Sequence, residues 1–225
     1  MTTDATTIRI DLHVHTQHSH DSAAPVSSVL QRCRDSGLGL VAVTDHDNIR
    51  GGLEARDAAA GFPVIVGEEI KSSGGDIIGL FLEEPVPARL TPLETVKRVK
   101  DQGGLVGIPH PFDRIRPTAM GADVLQEIVP WVDFLEGYNA HTFLSRDNRR
   151  GVDFAAGHSL PVVASSDSHS ALELGRTYTE VPAADLAATP EGLMKAIRAG
   201  ICIGRRPNPL LMLAPVYAKL RKLAP

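Results

Sequence analysis

Short apolar segments alternate with amphipathic segments along almost the whole chain of 225 residues. The apolar segments are rich in Val, Ile and Leu, and several are typical of strands that are buried on both faces of a sheet. The segments between them repeat apolar residues at helical spacing, and several end at a glycine. Strands that alternate with helices imply right-handed crossovers and a mostly parallel sheet or barrel. This pattern restricts the chain to an α/β fold.

The boundaries of these elements follow from periodicity and from turn residues such as SSGGD at 72–76. The tail after Gly204 is predicted to be extended and then to form a short basic helix. Strands are predicted over residues 8–15, 40–44, 62–66, 77–82, 105–108, 134–138, 162–165 and 178–181, and helices over 25–36, 48–60, 91–102, 122–128, 146–156 and 191–199.

Composition argues against several classes of protein. With 43% apolar and 22% charged residues, the chain has the balance of a globular protein rather than a disordered one. The net charge of −4 offers no broad basic face, so we expect no stable nucleic-acid partner. No apolar stretch approaches the roughly 18 residues of a membrane span. Two cysteines, Cys33 and Cys202, and an N-terminus without a signal-peptide pattern lead us to expect a reduced, cytoplasmic setting.

Histidines and carboxylates follow the predicted strands. Among the nine histidines, His46 comes after LVAVTD, His110 after LVGI and His169 after VVASSDS. Because the carboxyl ends of parallel strands converge on one face, side chains delivered by five strands are expected to meet there. We therefore predict one polynuclear metal site. Its candidate members are His13, His15, His46, His110, His141 and His169, together with Asp11, Asp21, Asp45, Glu68, Glu69 and Asp167.

The spacing of these residues supports a metal site. His13 and His15 are two residues apart on a strand, so both imidazoles point the same way and can bind one ion. Asp167 and His169 repeat this spacing at a later strand. Imidazole combined with carboxylate suits Zn, Mn or Fe and argues against a calcium cage. Neither a GxxxxGK[ST] loop nor a GxGxxG turn is present, so a nucleotide-binding loop is not supported.

Five motifs occur in the order seen in the PHP (polymerase and histidinol phosphatase) family, which the chain resembles from about residue 8 to about residue 181. The resemblance implies a distorted seven-stranded (β/α) barrel with two or three divalent transition-metal ions (Mn, Fe or Zn) at the C-terminal ends of its strands. It also implies one PHP-like catalytic domain over 1–225, in which 182–225 form a C-terminal helix and tail. The motifs are DLHVHT at 11–16, TDH at 44–46, GEE at 67–69, PHP at 109–111 and SDSH at 166–169.

Carried over motif by motif, the resemblance also implies a set of ligands. Asp21 takes the position after the HxH pair, with His18 and His20 as alternatives, and His141 follows EGYN, with Asn139 as its alternative. Asp167 and His169 are additionally expected to take part in catalysis with metal-bound water. The implied metal ligands are His13, His15, Asp21, His46, Glu69, His110, His141, Asp167 and His169.

Arginines close to these motifs are candidates for binding the substrate. Arg114, Arg116 and Arg176 follow ligand-bearing segments, and a planar guanidinium can meet two phosphoryl oxygens at once. Arg114, four residues after His110, and Arg176, seven residues after His169, are the predicted phosphate-binding pair.

The function that these residues favour is hydrolysis of a small phosphomonoester or a short nucleotide by a metal-bound hydroxide. The expected partner is therefore a small phosphorylated substrate, nucleotides included. One alternative is an amidohydrolase-type enzyme that cleaves a C–N bond. Such barrels commonly use a carboxylated lysine at a strand end, whereas Lys71 precedes a turn. A second alternative is a non-catalytic metal-binding PHP module. We rank it lower because no polymerase region is present and the ligand set looks complete.

Overall fold

Nine strands and seven α-helices alternate along the part of the chain that the computed structural model describes, residues 6–206 and 210–223. The strands are β1 (Thr7–Val14), β2 (Leu38–Val43), β3 (Val64–Ser72), β4 (Gly75–Leu80), β5 (Leu105–Ile108), β6 (Phe134–Asn139), β7 (Val162–Ser165), β8 (Tyr178–Pro182) and β9 (Ile201–Ile203). The helices are α1 (Val26–Asp35), α2 (Arg50–Ala58), α3 (Pro92–Asp101), α4 (Gly121–Ile128), α5 (Ser145–Gly157), α6 (Pro190–Arg198) and α7 (Ala214–Leu223).

All nine strands belong to one sheet, in the order β7-β6-β5-β4-β3-β2-β1-β8-β9. The sheet nearly closes on itself, because Val14 forms a parallel bridge with Ser168 just beyond β7. The His15 N–H donates to the Ser168 carbonyl at 2.9 Å across the same gap. The predicted α/β class is therefore confirmed, and the sheet is barrel-like.

The sheet differs from the expected one in strand number and direction. It has nine strands instead of seven, and four of its eight pairings are antiparallel rather than nearly all parallel. The short turn at Ser73 and Gly74 folds β4 back along β3, which makes that pair an antiparallel hairpin. β9 was not predicted, because its three residues, Ile201–Ile203, are too few to show the period of a strand.

An apolar cluster fills the inside of the sheet. Each of the strands β1 to β8 contributes at least one buried side chain to it, and α6 adds three more. A cluster that touches eight strands and one helix is enclosed by the sheet, with α6 covering one end. Its buried members are Ile10, Leu12, Leu40, Ala42, Ile65, Ile78, Leu80, Leu105, Phe134, Val163, Val181, Leu193, Ala196 and Ile197.

The other helices cover the outside of the sheet. α3, α4 and α5 pack against strands β3 to β6 in a second apolar cluster. α3 begins with a capping box, in which the Thr91 hydroxyl accepts from the Glu94 N–H and the Glu94 carboxylate accepts from the Thr91 N–H. Helices fixed in this way hold the strands, and therefore the strand ends, in place.

The C-terminal helix α7 lies over the segment that follows β1. The Lys222 ammonium donates to the Gln17 carbonyl at 2.9 Å, and Ala218 of the helix is buried. The predicted basic helix in the tail is therefore present, although residues 207–209 lie outside the described part of the chain. None of the helices in the described ranges has the length and apolar character of a membrane span.

Candidate metal centre

The HxH pair stands at the end of β1. His13 lies on the strand and His15 just beyond it, after a shift in the pairing register with β2. The two Nε2 atoms are 3.0 Å apart, and both side chains are fully buried. The predicted common direction of the two imidazoles is therefore confirmed by the structure.

Two carboxylates complete the first group of potential ligands. Glu69 Oε2 lies 3.2 Å from each Nε2 atom, and Asp167 Oδ1 lies 3.4 Å from His13 Nε2 and 3.3 Å from His15 Nε2. Nitrogen and oxygen ligands about 2.0–2.2 Å from a tetrahedral ion are separated from one another by about 3.3 Å. The observed separations match that value, so these four side chains fit one transition-metal ion.

The outward nitrogens of the two rings are already occupied. His13 Nδ1 lies 2.9 Å from Glu136 Oε1, and His15 Nδ1 lies 3.0 Å from Ser19 Oγ. Burial would raise the pKa of Glu136, but His13 and its hydrogen bond outweigh burial and lower the pKa below the ordinary value. A carboxylate only accepts, so Nδ1 of His13 donates and its Nε2 keeps a lone pair for an ion.

Asp167 divides its two oxygens between different tasks. Oδ2 accepts from Arg116 Nη2 at 2.7 Å and from Asn139 Nδ2 at 3.2 Å, whereas Oδ1 faces the two histidines without a hydrogen bond. Burial alone would raise the pKa of Asp167, but Arg116 and His13 hold the pKa well below its usual range. The backbone φ of Asp167 is +51°, an uncommon value for a residue other than glycine. This side chain is therefore held, ionised, in one direction.

A second group joins His15 to three further residues. Asp21 Oδ2 lies 3.3 Å from His46 Nε2, and Asp21 Oδ1 lies 3.4 Å from His169 Nε2. His169 Nδ1 donates to the Asp167 carbonyl at 2.8 Å, which leaves its Nε2 free to bind a cation. His15, Asp21, His46 and His169 can therefore hold a second ion.

A third group consists of Glu69, Asp76 and His110. His110 Nε2 is 3.0 Å from Glu69 Oε1 and 4.0 Å from Asp76 Oδ2. Glu69 thus presents Oε2 to the first group and Oε1 to the third, and His15 belongs to both the first and the second group. Shared ligands place the three groups side by side, which is the arrangement of a polynuclear site.

Buried polar atoms without partners provide a direct test of whether cations fit here. Asp21 Oδ1, Glu69 Oε2 and Asp167 Oδ1 are all buried without a hydrogen bond. Such atoms are costly unless a charge compensates them. Burial lowers the pKa of His15, yet Asp167 and Glu69 raise that pKa to about 10. Surroundings that favour a proton this strongly also favour a divalent cation.

Asp76 is a potential ligand that the sequence did not indicate. It is the last residue of the SSGGD segment at 72–76, which was predicted only to be a turn. In the sheet it pairs with Lys71 of β3, on the antiparallel strand beside Glu69. Its position depends on the direction of β4, which sequence periodicity does not reveal.

Three further histidines that were candidates, His18, His20 and His141, lie outside the three groups. His141 Nε2 bonds to Glu173 Oε1 at 2.7 Å, and Glu173 Oε2 accepts from the His169 N–H, so His141 is connected to the site through Glu173. His18 bonds to Glu54 at 2.6 Å, away from the three groups. His20 lies 3.6 Å from Asp21 Oδ2, with 62% of its side chain exposed. Asp21 is thus the member of the HSHD segment that belongs to a group.

The structure separates the candidate arginines. Arg116 lines the central cavity, whereas the Arg114 guanidinium is turned to Asp147, with Nε and Nη2 at 3.0 and 2.9 Å from Oδ1. Arg176 lines a different cavity. Neither Arg114 nor Arg176 therefore reaches the three ligand groups, because the turn after β5 and the segment before β8 point them elsewhere.

The central cavity has a volume of about 300 Å³ and opens above the second and third groups. Three cationic side chains, Lys71, Arg116 and Lys219, line it together with potential ligands. Lys219 comes from α7 and places its ammonium 3.6 Å from Asp21 Oδ2. A cavity with cations at its mouth and carboxylates at its base suits a small anion bound next to metal ions.

Comparison with known families identifies the fold. A family model described as PHP domain matches residues 11–159, and another described as PHP-associated matches residues 145–202. The chain belongs to the PHP family. The resemblance found in the five sequence motifs is thereby confirmed, and the PHP-associated match extends into the C-terminal part of the chain.

Several relatives show how the PHP chain compares with other proteins. Two uncharacterized proteins of Methanocaldococcus jannaschii are similar to the chain. The first is 39% identical, over 48% of this chain and 70% of its own length. The second is 31% identical, over 76% of this chain and 69% of its own length. A 3′,5′-nucleoside bisphosphate phosphatase of Chromobacterium violaceum is 36% identical over 39% of the chain and 33% of its own length. A two-domain Bacteroides vulgatus protein, described as containing a predicted PHP-like metal-dependent phosphoesterase, has the same fold. Its TM-score is 0.74 at 20% identity, over 95% of this chain and 70% of that one.

Removing the shared carboxylate of Glu69 should lower the metal content of this PHP protein more than a change at the neighbouring Glu68. We expect at least two equivalents of transition metal in the wild type and at least one equivalent less in Glu69→Gln, because Glu69 serves two groups. Glu68→Gln is the matched control, since Glu68 accepts from the Val86 N–H instead and should keep its metal. Elemental analysis after metal-supplemented expression measures both. Less than one equivalent in the wild type, or equal content in wild type and Glu69→Gln, would contradict this assignment.

Proposed function

We propose that this PHP protein is a metal-dependent phosphoesterase that hydrolyses a small phosphomonoester or a short nucleotide. The observation that carries the proposal is the sharing of Glu69 and His15 among three adjacent ligand groups beneath a cavity lined by cations. Adjacent divalent ions with cations around them are suited to a phosphoryl group, whose oxygens carry the charge of the transition state.

The ligand groups would hold two or three ions of Mn, Fe or Zn. The first group supplies two imidazoles and two carboxylates, the second supplies three imidazoles and one carboxylate, and the third supplies one imidazole and two carboxylates. When bound in such sites, divalent ions lower the pKa of bound water and neutralise the charge of phosphoryl oxygens. Both hard oxygen and borderline nitrogen donors are present, which suits these transition metals better than calcium.

The protein's own contribution begins with Arg116. Its Nη2 fixes Asp167 Oδ2, so the guanidinium is held next to the first group while it lines the cavity. A planar guanidinium fixed on one side can donate to a phosphoryl oxygen on the other. In this proposal Arg116 takes the phosphate-binding role that the sequence suggested for Arg114.

Lys71 and Lys219 provide the remaining positive charge at the mouth. Both line the central cavity, and about half of the Lys219 side chain is exposed, so the ammonium can turn from Asp21 to a ligand. A cavity of about 300 Å³ is at the small end of ligand sites, which favours a compact substrate. The Chromobacterium violaceum relative is named for a nucleoside bisphosphate, which supports a substrate of the nucleotide class.

We also propose that residues 1–225 act as one catalytic unit in the cytoplasm. The ligand groups all lie on strands, or on loops next to strands, of one sheet, which supports a single unit. Cys33 and Cys202 are both free thiols, which suits a reducing compartment.

Phosphate release provides the test of this function. A screen over sugar phosphates, amino-alcohol phosphates, nucleotides and a generic aryl phosphate, with Mn²⁺ added, should show metal-dependent release of inorganic phosphate. His13→Ala and Asp167→Ala should retain less than about a tenth of the wild-type turnover, because losses in the outer coordination sphere already cost about 10–100-fold. Circular dichroism confirms that the fold survives in each variant.

Two outcomes would contradict the proposal. One is turnover above a tenth of wild type in either variant at normal metal content. The other is a metal-loaded protein that releases no phosphate from any compound in the screen; amine release from an amide would then indicate the C–N hydrolase instead.

Arg116→Lys should not be a conservative change. A lysine loses the fork that reaches both Asp167 and the phosphate, and a charge-assisted hydrogen bond contributes about 1.5–3 kcal/mol. We expect kcat/KM on one confirmed phosphoester to fall about 10–100-fold in this variant. Arg114→Lys is the matched control, because Arg114 is turned to Asp147 and should stay within about threefold of wild type. A large loss in Arg114→Lys with none in Arg116→Lys would assign the phosphate to Arg114.

A further inference from the structure

Four arginines converge on a cavity of about 450 Å³ that is separate from the metal centre. We name it the arginine cavity after Arg9, Arg176, Arg205 and Arg206, which line it together with Gly175 and Tyr178. Within the described ranges, none of these residues lines the central cavity. The side chains come from β1, from the segment before β8 and from the segment after β9, so the fold and not one local run of sequence brings them together.

Two of the four guanidiniums are held in place. Arg9 stacks over the Tyr178 ring at 4.9 Å from its centroid, and its Nε lies 3.6 Å from Glu180 Oε1. Arg206 Nη2 donates to the Phe143 carbonyl at 2.6 Å and to Ser145 Oγ at 2.9 Å. Their orientation is therefore set before a ligand arrives, which lowers the entropy lost on binding.

The other two guanidiniums are fixed through the backbone only. The Arg205 N–H donates to Thr177 Oγ1 at 3.2 Å, and the Thr177 hydroxyl donates back to the Arg205 carbonyl at 2.8 Å. Gly175 holds the turn before Arg176 at a φ of +83°, where a Cβ would come within 2.3 Å of the Ser36 side chain. The guanidiniums of Arg176 and Arg205 have no hydrogen bond or ion pair to the described residues, so their donors are available.

The arginine cavity is positively charged, whereas the chain as a whole is negatively charged. The chain has a net charge of −4, yet four arginines meet here. Among the described residues, the carboxylate that forms an ion pair with one of these arginines is Glu180, which pairs with Arg9. Like charges at short range repel one another unless an anion compensates them. Guanidinium groups are also the side chains whose geometry best matches phosphate oxygens.

We propose that the arginine cavity binds an anion with two phosphoryl groups, at a site distinct from the metal centre. Four arginines opposed by Glu180 leave three positive charges. Two phosphoryl groups, at about −1.5 to −2 each, carry about −3 to −4 and compensate that charge. The concave shape favours a compact ligand over an extended one. Arg176, predicted from the sequence to bind the substrate phosphate, binds phosphate in this second cavity instead.

Isothermal titration of the metal-loaded full chain with inorganic pyrophosphate tests the site. Arg176→Gln/Arg205→Gln should weaken one class of binding sites at least tenfold, and Arg176→Gln alone should weaken it at least threefold. Arg98→Gln, which changes an exposed arginine of α3, is the matched control and should leave the titration unchanged. Pyrophosphate that binds at the metal ions contributes equally in all four proteins, and metal content measured after each titration excludes chelation as the cause of a difference.

Several results would overturn the site. Superimposable titrations of the wild type and the double variant would do so, as would the absence of binding to the wild type. Binding of a single-stranded oligonucleotide through these arginines, with no competition from pyrophosphate, would assign the cavity to a nucleic-acid backbone instead.

Discussion

The burial of ionisable side chains at one end of the sheet is the constraint on which the rest of the structure depends. Glu69, Asp167, His13 and His15 are fully buried, and such groups are costly to bury unless opposite charges lie beside them. Here the two oxygens of this set without a hydrogen bond, Glu69 Oε2 and Asp167 Oδ1, face imidazole nitrogens at 3.2–3.4 Å. The apolar cluster inside the sheet and the helices outside it hold the strand ends at these distances, and divalent ions would supply the charge that the arrangement favours.

A second layer of polar side chains determines how the potential ligands face the centre. Glu136 is its main member, because it bonds to His13 Nδ1, to the His110 N–H and to Asn139 Nδ2. Arg116 has a comparable role for Asp167, and it alone also lines the cavity. In the proposed function, one guanidinium would couple substrate binding to the orientation of a ligand, which is the physical reason to expect that Arg116 affects turnover.

The part of the site that depends on local geometry could be predicted from the sequence. The period of two on a strand places His13 beside His15, and the rule that strand ends converge brings His46, His110 and Asp167 to them. Asp76 was missed because its place depends on the antiparallel direction of β4, and Lys219 was missed because α7 reaches the cavity only through tertiary packing. Arg114 and Arg116 are two residues apart in a turn, where no periodicity shows which one faces inwards.

Anomalous X-ray diffraction from crystals of the metal-loaded protein, collected on both sides of the metal absorption edge, tests the central claim most directly. We expect a peak between His13, His15, Glu69 and Asp167, about 2.0–2.2 Å from their ligand atoms. We expect at least one further peak, beside Glu69 Oε1 or beside Asp21. Ordered side chains at these positions without anomalous density between them, in crystals whose protein holds at least two equivalents of metal, would contradict the account.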